Sequence, residues 1–577
     1  MSTQTLLVGR YTAAVQEGLA QLSSQRFFQR LEEGDAGLWS AEPAVQASIR
    51  RRLGWLTIAR TMGDHTASLH QFAEQIRREG FTHAVLLGMG GSGLFSEVCR
   101  KTIRVDASSL DVTVLDTTDP TAIRRQQQRC PPERLLMIVS SKSGSTSEVS
   151  ALSNYFYQAL SDAGVDPGAR AVAITDAGTS LETQAKAWNF RRIFIHGPGM
   201  GAEVGGRFSA LTYFGLVPAA LMGIDPATLL SRAEAMTARC AARADLQENP
   251  AAQLGVALGT LAMAGRDKLT VLCPPALAGV GTWIEQLIAE STGKLGRGIV
   301  PIHGEPWRAG VPYGTDRLFV EFQLAGQTDH ALEDHVRALT AAGHPVIRIE
   351  WQDSYDLGGE VMKWFIATSI VGRLLSLNPF DEPNVQESKD RTKALLQRYT
   401  HEGRWPEDDP PMCSDEQMTL YGLRDVRRPD SLTQACEALL EQLRPHEYLA
   451  MLSFLPRTPS LDDAISALRA GLAKRLEHAT MLGVGPRYLH STGQLYKGGP
   501  DAGVFLFLTA ESSEDLPIPG EPWTFAVLKH AQALGDVQAL QQRGRRLLRV
   551  HLRSDPDQGV QRLQRSLEEA ATRVAPR

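Results

Sequence analysis

Short apolar segments alternate with amphipathic segments along most of this 577-residue chain. In the first half, the apolar segments that we predict to be buried strands are 84–87, 112–115, 135–140, 171–175 and 193–195. The segments between them, such as 148–163, place apolar residues at helical spacing. This alternation predicts a parallel β-sheet that is wrapped by helices.

The same pattern returns twice further along the chain. Strands are predicted at 269–272, 318–322 and 346–350, with helices at 283–291, 331–342 and 362–377. Residues 402–411 are rich in Pro, Asp and Glu, which is typical of a linker. After them come strands at 448–454, 504–508 and 547–551 and helices at 462–479 and 524–533, so the tail is predicted to repeat the second group in a degenerate form.

We therefore predict an α/β fold with two doubly wound parallel-sheet domains and a third, degenerate α/β domain, each with three αβα layers. The predicted divisions are an N-terminal helical segment at 1–60, a first domain at 61–230, a second at 231–400 and a C-terminal domain at 401–577.

Charge and cysteine usage exclude several classes of protein. Lys and Arg total 60 against 65 Asp and Glu, a net charge of −5, which argues against a nucleic-acid partner. The six cysteines contain no CxxC pair, which indicates reduced thiols in a cytoplasmic protein. Residues 1–20 lack the pattern of a signal peptide, and polar or helix-breaking residues interrupt the longest apolar tract, 208–224, so no membrane partner is expected.

The first predicted strand runs into a glycine loop. Gly88, Gly90 and Gly93 satisfy G-x-G-x-x-G, and Asp116 ends the next predicted strand, as in a dinucleotide site. Such a loop can bind a phosphate or another oxyanion, or it can serve only close packing of helix on strand. It is not a Walker loop, because no Lys follows Gly93.

A second loop, after the predicted strand 135–140, favours a phosphate monoester. Ser141, Lys142, Ser143, Ser145, Thr146 and Ser147 supply five hydroxyl groups and one ammonium group before a predicted helix. Hydroxyl donors, amides at a helix start and a cation suit a phosphate group. A serine-rich helix cap is the alternative, but one cap needs only one serine.

These two loops resemble the sugar isomerase (SIS) domain, and three later blocks resemble the phosphoglucose (glucose-6-phosphate) isomerase family. The blocks are Val204-Gly-Gly-Arg-Phe-Ser209, Gln286 to Lys294, and Asn378-Pro-Phe-Asp381 continuing to Lys389. The resemblance covers about residues 80–395. The tail, with Leu489-His-Ser-Thr-Gly-Gln494 and Lys497-Gly-Gly-Pro500, is similar to bacterial isomerases found fused to transaldolase.

The resemblance implies reversible isomerisation of glucose 6-phosphate and fructose 6-phosphate through a cis-enediol(ate), in glycolysis and gluconeogenesis, without a metal or other cofactor. It implies that Glu290 is the base, that Arg207 stabilises the enediolate, and that Lys389 acts on the ring oxygen. The substrate-binding residues that it implies are Gly91, Ser92, Ser141, Lys142, Ser143, Thr146, Gly206 and Gln286.

The chain departs from the family pattern at three places. The family's ring-opening histidine is absent from its expected position near 314–317, so we hypothesise that His490 replaces it, with Glu148 as a possible orienting group. Val149 stands where the family usually has Thr, and Glu382 where it has Gln. The family's histidine normally comes from a partner subunit, whereas His490 could complete the site within one chain. Both a monomer and a homodimer therefore remain open.

Other functions remain as alternatives. A dual glucose/mannose phosphate isomerase would share the same residues. A non-catalytic sugar-phosphate sensor would keep the phosphate loop, but it would need no base. A nicotinamide-dependent oxidoreductase is the least favoured reading of the glycine loop.

Overall fold

The chain folds into two compact units. A computed structural model describes residues 1–105, 109–197, 200, 202–307, 312–405, 410–422 and 428–574. The N-terminal unit consists of Met1–Asp116, Gln128–His303 and Arg317–Glu382, and the C-terminal unit of Thr117–Gln127, Gly304–Asp316 and Pro383–Arg577. Residues 406–409 of the predicted linker lie outside the described residues.

Two five-stranded sheets form the N-terminal unit. The first has the order β3-β2-β4-β5-β6 and is parallel throughout, whereas the second has the order β1-β10-β9-β7-β8 with β1 antiparallel to β10. In chain order the strands are β1 (Thr3–Leu7), β2 (His83–Leu87), β3 (Asp111–Leu115), β4 (Leu135–Ser140), β5 (Ala171–Asp176), β6 (Arg192–His196), β7 (Lys268–Leu272), β8 (Val300–His303), β9 (Arg317–Leu324) and β10 (Val346–Trp351).

One six-stranded sheet forms the centre of the C-terminal unit, in the order β11-β12-β16-β15-β13-β14. Its last four strands are parallel, and β12 runs antiparallel to β16. The strands are β11 (Cys413–Ser414), β12 (Met418–Gly422), β13 (Tyr448–Phe454), β14 (Ala479–Val484), β15 (Gly503–Ala510) and β16 (Arg546–Leu552).

The helices are numbered along the whole chain. Those of the N-terminal unit are α1 (Thr12–Ser24), α2 (Phe27–Glu32), α3 (Pro43–Arg51), α4 (Ile58–Gly63), α5 (Thr66–Arg78), α6 (Leu94–Thr102), α8 (Ser147–Asp162), α9 (Ser180–Ala187), α10 (Tyr213–Leu221), α11 (Pro226–Arg239), α12 (Pro250–Met263), α13 (Ala278–Thr292), α14 (His330–Ala341) and α15 (Asp356–Leu374). Those of the C-terminal unit are α7 (Pro120–Gln127), α16 (Val385–Glu402), α17 (Leu432–Leu440), α18 (Pro459–Ala473), α19 (Gly493–Gly498), α20 (Phe525–Gln542) and α21 (Pro556–Val574). Across the described ranges, none of these helices has the length and apolar character that crossing a membrane requires.

The three sheets share one strand order. Four consecutive strands are arranged as second-first-third-fourth in each: β3-β2-β4-β5, β8-β7-β9-β10 and β14-β13-β15-β16. The second and third sheets also carry an antiparallel strand beyond the fourth position, β1 and β12 respectively. The predicted α/β fold is therefore confirmed, and the tail repeats the topology of the second sheet as its sequence pattern predicted.

Every predicted strand is present within two residues of its predicted bounds, but several strands were not predicted. The segment 1–60 was expected to be helical, whereas β1 forms an edge strand there. β8 was missed because Pro301 interrupts its pattern, and proline is found mainly on edge strands such as this one. The helix predicted at 462–479 ends at Ala473, and Ala479 begins β14.

The boundary before the C-terminal unit lies at Glu382 rather than at residue 400. The reason is that α16, placed by its sequence position in the second predicted domain, packs along α20. At its start, the backbone N–H of Asn384 donates to Gln494 Oε1 (2.8 Å), and Gln494 Nε2 donates to Asn384 Oδ1 (2.8 Å).

Gly358 lies at a close crossing of α15 and α11 in the N-terminal unit. A Cβ atom at this position in α15 would lie 2.0 Å from the backbone oxygen of Leu229 in α11. Backbone atoms cannot move aside as a flexible side chain can, so the two helices require glycine here.

We expect Gly358→Ala to destabilise the protein by about 1–3 kcal/mol, as overpacking of a close-packed interior does. Gly63→Ala is the matched control, because Gly63 is also helical and a Cβ there meets nothing within 4 Å. Thermal unfolding followed by circular dichroism should show a lower midpoint for Gly358→Ala and an unchanged or higher midpoint for Gly63→Ala. Equal midpoints for the two variants would contradict this account.

Candidate active site

The serine-rich loop lies at the carboxyl edge of the first sheet, between β4 and α8. Ser141 Oγ donates to Thr146 Oγ1 (3.2 Å), and Ser145 Oγ donates to Ser143 Oγ (3.2 Å). Gly144 has a φ of +67° at the turn, a conformation that favours glycine. The loop therefore gathers hydroxyl groups at the start of a helix, as the sequence predicted.

In the corresponding loops of the other two sheets, an aspartate bonds the first backbone N–H groups of the helix. After β9, the Asp329 carboxylate accepts a hydrogen bond from the N–H of Leu332 (3.1 Å) and so caps α14. After β15, Asp515 accepts from the N–H of Ala526 (2.9 Å) in the first turn of α20. By contrast, the side chain of Thr146 makes no capping hydrogen bond to α8. The N-cap side chain of α8 therefore leaves the first backbone N–H groups of this helix to a ligand.

Lys142 is held at this edge by a carboxylate from the next strand. Its Nζ hydrogen-bonds Asp176 at the end of β5, and burial raises the pKa of Asp176 despite this pairing. His196 ends β6 and is buried, and burial together with Lys142 lowers its pKa to about 4. Neither Asp176 nor His196 was singled out from the sequence, although both end strands at the edge where ligands of parallel sheets bind.

The glycine loop after β2 packs against the loop that contains Gly206. A Cβ at Gly91 would lie 2.0 Å from the backbone oxygen of Gly206, so the two backbones meet directly. Ser209 Oγ donates to the Gly91 oxygen (3.2 Å), and Ser140 Oγ donates to the Ser92 oxygen (2.7 Å). The structure thus brings Gly91, Ser92 and Gly206 together beside the end of β4.

Arg207 is the centre of a buried polar cluster in the N-terminal unit. The residue is 3% exposed, and its guanidinium joins the end of α13 to the block 378–382. It donates from Nε to Ser291 Oγ (2.7 Å), from Nη2 to the oxygens of Pro379 (2.6 Å) and Asp381 (2.9 Å), and from Nη1 to Glu382 Oε2 (2.9 Å) and Glu290 Oε2 (3.5 Å).

Glu290 lies near the end of α13, and the residue is 7% exposed. Burial raises its pKa to about 7, even though Arg207 favours the ionised form, and Gln286, one turn earlier, donates a hydrogen bond to it. The negative charge of Glu382 raises the pKa further. A carboxyl group with a pKa near neutrality can both accept and return a proton at physiological pH.

Glu382, which departs from the family pattern, is paired on two sides. Arg52 Nη1 donates to Glu382 Oε2 (3.1 Å), and Arg207 donates to the same oxygen. Although burial raises the pKa of Glu382, the two guanidinium groups lower it overall, so this side chain is ionised. Arg52 was not predicted, because 330 residues separate it from its partner.

Lys294 fixes the turn after α13. Its Nζ donates to the oxygen of Asn378 (2.9 Å) and to Asp381 Oδ1 (2.7 Å), while burial and Arg207 lower its pKa to about 8. Behind these loops, the ring of Phe208 packs on Trp55 (5.6 Å between centroids) and on Phe380 (5.5 Å). The aromatic cluster restricts the loops that carry Arg207 and Asp381.

The other two predicted catalytic residues belong to the C-terminal unit. Lys389 lies in the first turns of α16, and His490 ends a 3-10 turn, Arg487–His490, that follows β14. His490 therefore lies between the second and third strands of the third sheet. The corresponding segment of the second sheet is 304–316, the interval where the family's histidine was expected and not found. That His490 replaces the missing histidine stays a prediction.

Two further positions complete the predicted set. Glu148 is buried in the first turn of α8 and accepts a hydrogen bond from Ser147 Oγ (3.0 Å), and Val149 beside it is also buried. The orientation of His490 by Glu148 stays a prediction. Among the residues that the structure describes, no group of three His, Cys, Asp or Glu side chains could hold a metal ion.

Comparison with known proteins shows what this part of the chain is similar to. Residues 61–300, which contain Glu290, Arg207 and both loops, match the phosphoglucose isomerase family model. A glucose-6-phosphate isomerase of Rubrobacter xylanophilus is 29% identical over 430 residues, covering 64% of this chain and 97% of that protein. Over the matched residues the chain is therefore similar to the phosphoglucose isomerase family. A probable glucose-6-phosphate isomerase of Natronomonas pharaonis is 28% identical over 401 residues, covering 63% of this chain and 90% of its own.

Solved structures share the α/β fold of this chain. A hypothetical protein from Thermus thermophilus superposes with a TM-score of 0.56 at 23% identity, over 68% of this chain and 99% of its own. A glucose-6-phosphate isomerase from Chlamydia trachomatis gives a TM-score of 0.57 at 17% identity, over 69% of this chain and 88% of its own. At these identities the likeness concerns the fold alone.

We expect Glu382→Gln to lower the pKa of Glu290, because the substitution removes a like charge and leaves Arg207 to act on Glu290. Titration of ¹³C-glutamate-labelled protein by NMR should place the Glu290 carboxyl near pH 7 in the wild type and lower in the variant. Glu285→Gln, on the same helix, is the control and should leave the pKa of Glu290 unchanged. A Glu290 pKa that is unchanged or higher in Glu382→Gln would refute the electrostatic account.

Proposed function

We propose that this protein is a glucose-6-phosphate isomerase that interconverts glucose 6-phosphate and fructose 6-phosphate. The observation that carries the proposal is the buried Glu290, with its pKa raised to about 7, against the buried guanidinium of Arg207. Both lie in the part of the chain that matches the family, and the relatives compared above carry this name. A sugar-phosphate sensor would have no use for a base that is tuned in this way.

The serine-rich loop is proposed to bind the phosphate group of the substrate. Ser141, Ser143 and Thr146 supply hydroxyl donors at the start of α8, and Lys142 supplies a positive charge. Gly91, Ser92 and Gly206 form the neighbouring backbone and contribute N–H groups. A hydroxyl contact is missing at Val149, so the remaining hydroxyls carry that part of the binding.

Glu290 is proposed to transfer the proton between the two reacting carbons. Its carboxylate removes a proton from C1 of the open-chain ketose, which leaves a cis-enediolate, and then delivers the proton to C2. The hydroxyl proton at O1 passes to O2, so that the carbonyl moves from C2 to C1. Arg207 stabilises the negative charge on the enediolate oxygens, and Gln286 holds the carboxylate in place.

Lys389 and His490 are proposed to open the sugar ring before this transfer. Opening breaks the bond between the anomeric carbon and the ring oxygen: the anomeric hydroxyl loses a proton and the ring oxygen gains one. Lys389 acts on the ring oxygen, and His490 exchanges the proton of the anomeric hydroxyl. The proposal for His490 is supported by its place in the third sheet, which corresponds to the segment 304–316 of the second.

The cellular location and the partners that we propose follow from the composition of the chain. All six cysteines are free thiols, and burial raises the pKa of Cys240 to about 11, as expected for unreactive thiols in a cytoplasmic enzyme. The proposed ligand is a small sugar phosphate, with no nucleic acid or membrane partner. Sedimentation of the active species decides between a monomer and a homodimer.

The direct test is a coupled assay. Purified protein supplied with fructose 6-phosphate should form glucose 6-phosphate, detected through the NADPH produced by glucose-6-phosphate dehydrogenase. Mannose 6-phosphate in a parallel assay distinguishes a dual-specificity isomerase. A wild-type protein that binds the sugar phosphate without converting it would instead be a sensor.

Glu290→Gln should lower kcat by about 10²–10⁴-fold, the usual contribution of a general base, with little change in KM. The activity of the wild type should fall as pH drops below about 7, because protonation removes the base. Glu285→Gln makes the same charge change on the same helix and should retain wild-type kcat. Substantial activity in Glu290→Gln would exclude Glu290 as the base.

His490→Ala should impair cyclic substrates selectively. We compare fructose 6-phosphate with 5-deoxyfructose 6-phosphate, which lacks the hydroxyl that closes the furanose ring and so remains open. Loss of a proton-transfer group should lower turnover of fructose 6-phosphate by about 10²-fold or more while turnover of the open analogue changes little. Unchanged turnover of the cyclic substrate would show that His490 takes no part.

A further inference from the structure

A second buried charge cluster occupies the C-terminal unit, around Asp536 of α20. Its carboxyl group is fully buried. Asp536 Oδ1 accepts hydrogen bonds from Lys497 Nζ (2.7 Å) and Ser388 Oγ (3.0 Å), and Oδ2 accepts one from the hydroxyl of Tyr488 (2.6 Å). Three separate segments therefore converge on one carboxylate.

Two of these segments carry the residues assigned to ring opening. Ser388 directly precedes Lys389 in α16, and Tyr488 lies two residues before His490 in the same 3-10 turn. The hydroxyl of Tyr488 is buried with Asp536, and both burial and that carboxylate raise its pKa well above the ordinary value. Tyr488 is thus a neutral donor, and its ring is fixed between the turn and α20.

Other contacts join α16 to α19 and α20. The paired amides of Asn384 and Gln494 join the start of α16 to α19. At Gly535, next to Asp536, a Cβ would lie 3.1 Å from Thr392 Oγ1, so α16 and α20 approach closely. Arg543 in the turn after α20 donates two hydrogen bonds to Glu387 Oε2, from Nε (2.9 Å) and from Nη2 (2.8 Å).

A carboxylate is an expensive choice for this position. A buried charge costs several kcal/mol unless it is paired and fully hydrogen-bonded, and an apolar side chain often stabilises such a site better. Asp536 has a cation and two hydroxyl donors, so its cost is offset. What an apolar residue could not supply is a directional link between the Ser388 and Tyr488 hydroxyls.

We propose that Asp536 is a positioning residue for ring opening, which holds Lys389 and His490 at a fixed spacing through Ser388 and Tyr488. This inference rests on the proposed isomerase function. Asp536 does not touch the substrate: it restricts the helix of one ring-opening residue and the turn of the other. A substitution at Asp536 should therefore affect only ring opening, because that step needs both Lys389 and His490.

The test measures kcat/KM of Asp536→Asn on fructose 6-phosphate and on 5-deoxyfructose 6-phosphate. We expect the ratio of cyclic to open-chain activity to fall about 10-fold or more, since small misplacements of reacting groups have effects of that size. Tyr488→Phe keeps the ring and removes one of the hydrogen bonds, so it should lower the same ratio less. The double variant should be no worse than Asp536→Asn, because both changes break one network.

Lys529→Met is the matched control. Lys529 lies on the same helix and forms a buried pair with Asp119 (2.6 Å), and neither residue is among the three that hydrogen-bond Asp536. This variant should lower thermal stability and leave the substrate ratio unchanged.

The outcomes separate the inference from the proposed function. A selective loss on the cyclic substrate in Asp536→Asn or in Tyr488→Phe supports the positioning role. Equal losses on both substrates, or no loss, overturn it and leave the isomerase assignment intact. If Asp536→Asn does not fold, Tyr488→Phe decides by the same ratio. A wild type that is inactive on both substrates contradicts the proposed function itself.

Discussion

The buried guanidinium of Arg207 holds together the part of the molecule where chemistry is proposed. A charged group with so little exposure is tolerated only when its hydrogen-bonding capacity is satisfied. Backbone oxygens of the block 378–381, the hydroxyl of Ser291 and two carboxylates meet this demand. The same cation sets the electrostatics, because it draws Glu382 into the ionised form while Glu290, farther away, keeps a raised pKa.

The residues proposed for the two steps of the reaction belong to different units. Groups suited to proton transfer between carbons, Glu290 and Arg207, lie in the N-terminal unit. Groups proposed for ring opening, Lys389 and His490, lie in the C-terminal unit. Each set depends on one buried ion. In the N-terminal unit it is the guanidinium of Arg207, and in the C-terminal unit it is the carboxylate of Asp536.

The fold could be predicted largely from local sequence, whereas the site could be predicted only in part. Strands that are buried on both faces are nearly continuous apolar runs, which is why β4 and β13 were found with their observed bounds. Edge strands lack that signal, and β1 and β8 were missed. The serine-rich loop was evident from its composition. The pairing of Arg207 with Glu382 was not evident, because the two residues are 175 residues apart and local patterns carry no information about such contacts.

The carboxylate caps of α14 and α20 have a consequence for stoichiometry. Three sheets of one strand order could in principle present three equivalent anion sites. In two of them an aspartate from the chain already occupies the positive end of the helix, so an incoming phosphate would meet a like charge rather than donors. One polypeptide should therefore take up one sugar phosphate at these edges. Saturation with substrate should then be hyperbolic for an isolated chain.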